Sequence, residues 1–87
     1  MYLVVYDIKN EEIVGQLLAQ AKEFGEVNQA LPSAFLLDTT EGLNTINEAF
    51  LTIVSNNGRI MTAQISRKNI NGWLGSDSVN WINSKNF

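Results

Sequence analysis

The run Tyr2-Leu3-Val4-Val5-Tyr6 constrains this chain more than any other feature. It is continuously apolar and β-prone, and it stops at Asp7. A strand apolar on both faces belongs at the centre of a sheet that helices cover. An acid at the carboxyl end of such a strand lies where open α/β sheets place function. The reading begins with a central strand over Tyr2–Asp7, and with Asp7 as a candidate functional residue.

The rest of the chain supplies the helices that strand needs. Asn10 before Glu11-Glu12 is a helix start, an amide cap followed by acids at the positive end of the dipole. Ile13, Leu17, Ala21 and Phe24 recur at helical spacing, with Val14 and Leu18 beside them, and make one buried stripe. Gly25 after Phe24 is expected to be a left-handed cap. Gly15, inside the helix, serves close packing on the sheet or has no role. Glu26 to Ala30 reads as an edge strand. Pro32-Ser33 separates it from the strand Ala34-Phe35-Leu36-Leu37, and the short break implies a hairpin.

Thr39-Thr40 is expected to cap a second helix with Glu41 in its first turn. Leu43, Ile46, Ala49, Phe50, Ile53 and Val54 form its apolar stripe, and Asn56-Asn57-Gly58 ends it. Arg59 to Ile65 alternates as a fourth strand, with Met61, Ala63 and Ile65 on one face and Ile60, Thr62 and Gln64 on the other. Beyond Ser66 the pattern weakens. Ser76-Asp77-Ser78 looks like a helix cap, and Val79 to Ser84 like one or two turns. The order strand, helix, strand, strand, helix, strand gives an α+β fold of the ferredoxin-like βαββαβ type. It has a four-stranded antiparallel sheet, two helices on one face and right-handed crossovers. Residues 1–87 read as one domain, with a core over about 1–66 and a C-terminal extension over about 67–87.

Composition removes several chemistries. The chain has no cysteine and no histidine, which excludes disulfides, thiolate catalysis, Cys/His zinc sites and Ser-His-Asp triads. Any metal would sit on carboxylates and carbonyls, which favours magnesium or calcium. A net charge of −3 argues against unassisted binding to nucleic acid, which needs a basic face. The pair Arg67-Lys68 reads as a solvated turn rather than a phosphate clamp. Only 17% of residues are charged, so the surface is weakly protected against association and a homodimer is expected. The apolar start is too short to span a bilayer and lacks a basic leader, so no membrane role and a cytoplasmic location are expected.

Taken in order, Tyr2-Leu3-Val4-Val5-Tyr6-Asp7, Leu31-Pro32-Ser33-Ala34-Phe35-Leu36-Leu37-Asp38-Thr39, Gly72-Trp73-Leu74-Gly75 and Trp81-Ile82 carry a resemblance. The chain resembles the small CRISPR-associated adaptation subunit, the nuclease-like partner of the integrase, and more closely that family's SinR-like relatives. The resemblance implies a homodimer in which strands or tails pair across a two-fold axis. It also implies that the two Asp7 carboxylates face each other and hold a divalent ion. Two departures weigh against carrying over the nuclease chemistry. No arginine follows Asp7 in the first helix, and the chain is acidic where a DNA duplex needs a basic saddle.

Each singled-out residue has two readings. Asp7 is a magnesium ligand, or an acid that caps the loop before the first helix. Apart from magnesium on Asp7, no cofactor is expected. Trp73, Leu74, Trp81, Ile82 and Phe87 form a dimer or partner interface, or close the sheet within their own chain. Stacking of the tryptophans on single-stranded bases has little support among so few cations. The scattered acids are a solvated surface, or part of a surface that imitates nucleic acid. The function expected first is a small homodimeric binding module that acts through a protein partner in microbial or phage defence. The alternatives are a weak magnesium-dependent nuclease using paired Asp7 carboxylates, and an acidic phage-type inhibitor of a nucleic-acid-binding machine.

Overall fold

The computed structural model describes residues 1–87. Its order is β1 (Tyr2–Ile8), α1 (Glu11–Phe24), β2 (Glu26–Leu31), β3 (Ala34–Asp38), α2 (Leu43–Val54) and β4 (Gly58–Gln64). A single 3-10 turn (Arg67–Asn69) and α3 (Ser76–Asn83) follow. The sheet runs β2-β3-β1-β4 with every neighbouring pair antiparallel. This is the ferredoxin-like arrangement, and the apolar first strand is one of its two central strands.

The register sorts each strand into two faces. Tyr2, Val4 and Tyr6 line up with Phe35 and Leu37 of β3 and with Ile60 and Thr62 of β4. Together with Leu17 and Ala21 of α1 and Ile46, Phe50 and Val54 of α2, this face forms the hydrophobic core. Phe50 stands edge-on to both Phe24 and Phe35, each ring centroid 6.1 Å away. Thr62 Oγ1 is buried here without a hydrogen-bond partner.

The opposite face carries Leu3, Val5 and Asp7 in β1, Ala34 and Leu36 in β3, and Arg59, Met61 and Ala63 in β4. β1 is thus apolar on both faces. One face meets α1 and α2. On the other, Leu3 is partly buried and Val5 and Asp7 are exposed.

Local chemistry sets the helix starts differently from expectation in one case. Asn10 caps α1 as read, its Oδ1 accepting from the backbone N–H of Glu12 at 2.9 Å and of Ile13 at 3.4 Å. Thr39 and Thr40 do not cap α2. That helix starts at Leu43 behind Gly42, with no side-chain cap. Thr39 instead donates its hydroxyl to the carbonyl of Phe24 at 2.8 Å and accepts the N–H of Glu41 at 3.1 Å. It ties the end of α1 to the turn before α2, and Leu43 falls on the exposed side of its helix.

Gly25 is a second correction. Its φ of 176° is extended, not left-handed. Glycine is needed there because a Cβ would lie 2.0 Å from the carbonyl oxygen of Asp38. Gly58 has the same role at the start of β4, where a Cβ would lie 2.5 Å from the carbonyl oxygen of Asp7. Gly15 faces open space, so it does not serve close packing. The left-handed φ near the end of α2 falls instead on Ser55, at 50°.

Candidate functional site

Asp7 lies one residue before the end of β1, on the face away from α1 and α2, and its side chain is exposed. Its cross-strand partner is Arg59. It borders a shallow depression of about 370 Å³ also lined by Tyr6, Lys9, Glu11, Gln29 and Ser33. The order there comes from Tyr6. Its hydroxyl accepts from Gln29 Nε2 at 2.8 Å and donates to the carbonyl of Pro32 at 3.3 Å. Tyr6 is therefore a core ring with a satisfied tip that holds the β2–β3 turn against β1. Within one chain no three carboxylates gather anywhere. Asp7 and Glu11 share the rim with an ammonium, Lys9, which is a poor donor set for a hard cation.

The C-terminal residues are organised by two cations. Arg67, read as part of a solvated turn, donates its guanidinium to the carbonyls of Ile82, at 3.0 Å, and of Lys85. It also sits 4.8 Å from the ring centre of Phe87, and its backbone N–H bonds the Phe87 carbonyl at 3.3 Å. The guanidinium thus caps the carboxyl end of α3, where the helix dipole favours positive charge. Lys85 pairs with Glu26 and lies 3.9 Å from Asp38, with its ammonium 5.2 Å from the ring centre of Trp81. Glu26 and Asp38 are directly opposed in the β2–β3 ladder. Like charges so placed repel, and Lys85 is the counter-charge that lets them sit together. Ser78 adds a hydrogen bond to Asn28 Oδ1 at 2.8 Å.

Asn28, Glu26 and Asp38 are all on the sheet face opposite α1 and α2. Residues 76–87 therefore form a strap across the β2–β3 side of that face. Beneath it Leu36 is only 6% exposed. Trp81, Ile82 and Phe87 are partly buried in this strap within their own chain, and Leu74 is partly buried ahead of it.

Trp73 is different. It lies in the segment between the 3-10 turn and α3, and its side chain is 97% exposed. The structure thus separates the two tryptophans that the sequence put in one group. The uncovered part of the sheet face adds an apolar row. Leu31 and Ala34 are paired, Ala34 and Val5 are paired, and Val5 and Met61 are paired, which sets one transverse line across all four strands. In that row Leu31 is 53%, Val5 37% and Met61 64% exposed.

Lys85 was not flagged by the sequence reading. It lies two residues beyond α3, and its partners Glu26 and Asp38 are brought to it only by the fold. No helix is long and apolar enough to cross a membrane. Comparison with models of known protein families, with curated proteins and with solved structures finds no match.

Proposed function

We propose that this protein is a small binding module that docks a protein partner through Trp73 and the uncovered apolar row of its sheet. The carrying observation is the nearly complete exposure of Trp73. A tryptophan in water forfeits the burial that its large apolar ring would gain, and tryptophan is enriched at the energetic centre of interfaces. Leu31, Val5 and Met61 expose a further apolar surface on three of the four strands. The charge is sparse and acidic, which suits a protein partner better than a phosphate backbone. The resemblance to CRISPR-associated adaptation subunits is the support for placing such a module in microbial or phage defence.

The nuclease reading rests on Asp7, which faces an arginine and shares its rim with one other carboxylate, Glu11, and with Lys9. The inhibitor reading rests on a net charge of −3 whose acids are partly spent on helix dipoles and on Lys85.

The test is affinity capture from lysates of candidate hosts with the wild-type chain and with Trp73→Ala, followed by titration of the recovered protein. Loss of about 2 kcal/mol or more, roughly thirtyfold in affinity, is the expected result for a hot-spot tryptophan. Equal binding by both chains refutes the role of Trp73. Magnesium-dependent cleavage of DNA or RNA that Asp7→Asn abolishes would replace this reading with the nuclease.

A further inference from the structure

Two asparagines of the chain precede a glycine, in Asn57-Gly58 and Asn71-Gly72. At such a pair the backbone can modify its own side chain. The amide nitrogen of the next residue attacks the side-chain carbonyl carbon of asparagine, and glycine leaves that nitrogen unshielded because it has no Cβ. The nitrogen must lie against the carbon, and the following peptide must be free to turn as a five-membered ring closes.

The fold meets both conditions at one site and withholds the second at the other. The N–H of Gly72 donates to Oδ1 of Asn71 at 2.9 Å. The side chain is thus folded back over the backbone, and the carbonyl carbon bonded to that oxygen stands beside the attacking nitrogen. Asn71 and Gly72 are exposed between the 3-10 turn and α3. No atom beyond the chain neighbours lies within 4 Å of where a Cβ on Gly72 would be. Asn57 and Gly58 are exposed as well, but their backbone is held. The N–H of Asn57 bonds the Val54 carbonyl at 2.9 Å. Gly58 opens β4 opposite Ile8, so close to β1 that a Cβ would lie 2.5 Å from the Asp7 carbonyl oxygen. The peptide between them cannot turn without breaking the start of that ladder.

We propose that Asn71 is a self-modification site, deamidated through the Gly72 nitrogen in preference to Asn57. The Gly72 nitrogen loses its proton to solvent and bonds Cγ of Asn71. The bond from Cγ to Nδ2 breaks, and ammonia leaves after taking a proton from solvent. Water then opens the succinimide. Opening at Cγ leaves aspartate. Opening at the main-chain carbonyl leaves isoaspartate, whose chain runs on through the β-carbon. The net change is water in and ammonia out, with no oxidation. Either product sets a new carboxylate two residues before Trp73, on a chain of net charge −3. Isoaspartate also lengthens the main chain there by one carbon. A carboxylate that must be desolvated beside an apolar ring opposes burial of that ring. The loop therefore loses docking affinity with age. That consequence rests on the docking reading of Trp73, whereas the modification does not.

Peptide mass mapping of the isolated protein, incubated folded and in concentrated urea in warm, mildly alkaline buffer, tests it. In the folded chain the Asn71 peptide should gain about one dalton, OH for NH2, roughly tenfold to a hundredfold faster than the Asn57 peptide. In urea the two sites should react at nearly equal rates, because the fold is what separates them. Gly72 has no positive φ and an open Cβ position, so Gly72→Ala should leave the unfolding midpoint unchanged. It should slow the reaction at Asn71 by roughly tenfold or more. Equal rates at Asn57 and Asn71 in the folded chain overturn the proposal. So does an Asn71 peptide of constant mass, or a Gly72→Ala chain that reacts as fast as wild type. In Trp81→Phe the sole tryptophan is Trp73. Its quenching by iodide, an anion, should fall as Asn71 converts, while quenching by neutral acrylamide holds. Undiminished iodide quenching of the fully converted chain overturns the effect on Trp73. None of these readouts involves a partner, so they fail separately from the docking reading.

Discussion

Asp7 and Arg59 occupy directly opposed positions in the β1–β4 ladder, on the sheet face turned away from α1 and α2. The acid that looked like a candidate metal ligand thus has a cationic neighbour contributed by a strand more than fifty residues later in the chain. The close ion pairs of the protein both belong to Lys85, so this opposition is a loose, solvent-exposed one. A double-mutant cycle of Asp7→Asn and Arg59→Gln should return a coupling of about 0.2–1 kcal/mol. Magnesium should leave the melting temperature of wild type unchanged. A metal-induced rise that Asp7→Asn removes would restore Asp7 as a ligand.

Phe50 is completely buried, with aromatic partners on α1 and β3. Phe50→Ala should cost about 3–5 kcal/mol, a large part of the stability of so small a protein. Urea unfolding measures it. A loss under about 1 kcal/mol would mean that α2 shows the sheet another face.

Thr62 offers a gain rather than a loss. Its hydroxyl is buried beneath α2 with nothing to bond. Valine has nearly the same shape and no polar atom. Thr62→Val should raise stability by about 1 kcal/mol, the order of the desolvation cost it removes. Destabilisation in urea would mean that the hydroxyl has a partner in solution.

Lys85→Met keeps the length of the side chain and removes its charge. Glu26 and Asp38 then face each other uncompensated. Hydrogen exchange should accelerate over residues 76–87, while the unfolding free energy measured in urea falls by no more than about 1 kcal/mol. High salt should loosen the strap of the wild-type chain in the same way, by screening the pair. Protection that persists in Lys85→Met would assign the strap to its apolar contacts alone.

What the sequence made legible was local. The strands, the Asn10 cap and the stripes through Leu17 and Phe50 depend on neighbours a few residues away, and propensity and period report those. The errors lie where a distant group decides. Gly25 is required by the Asp38 carbonyl, and Thr39 is diverted from α2 by the Phe24 carbonyl. Neither partner is adjacent in the chain. The same holds for the candidate site. Asp7 was visible as an acid ending a strand, whereas Arg59 became its neighbour only through register. Trp73 stands between glycines and Trp81 in a helical pattern, yet only tertiary packing decides that Trp81 is partly buried and Trp73 exposed.

The position of β1 between β3 and β4 also bears on how fast the native state is reached. The β2–β3 hairpin closes over the two-residue turn Pro32-Ser33, so it forms from residues already side by side. β1 has no such neighbour. Its pairing with β4 joins Tyr2 to Gln64. The entropy of closing that loop is spent before its contacts return anything. Refolding should therefore be limited by the arrival of β4 beside β1, with the hairpin waiting ready-made, and substitutions at the β1–β4 seam should slow folding more than equally destabilising ones in the hairpin.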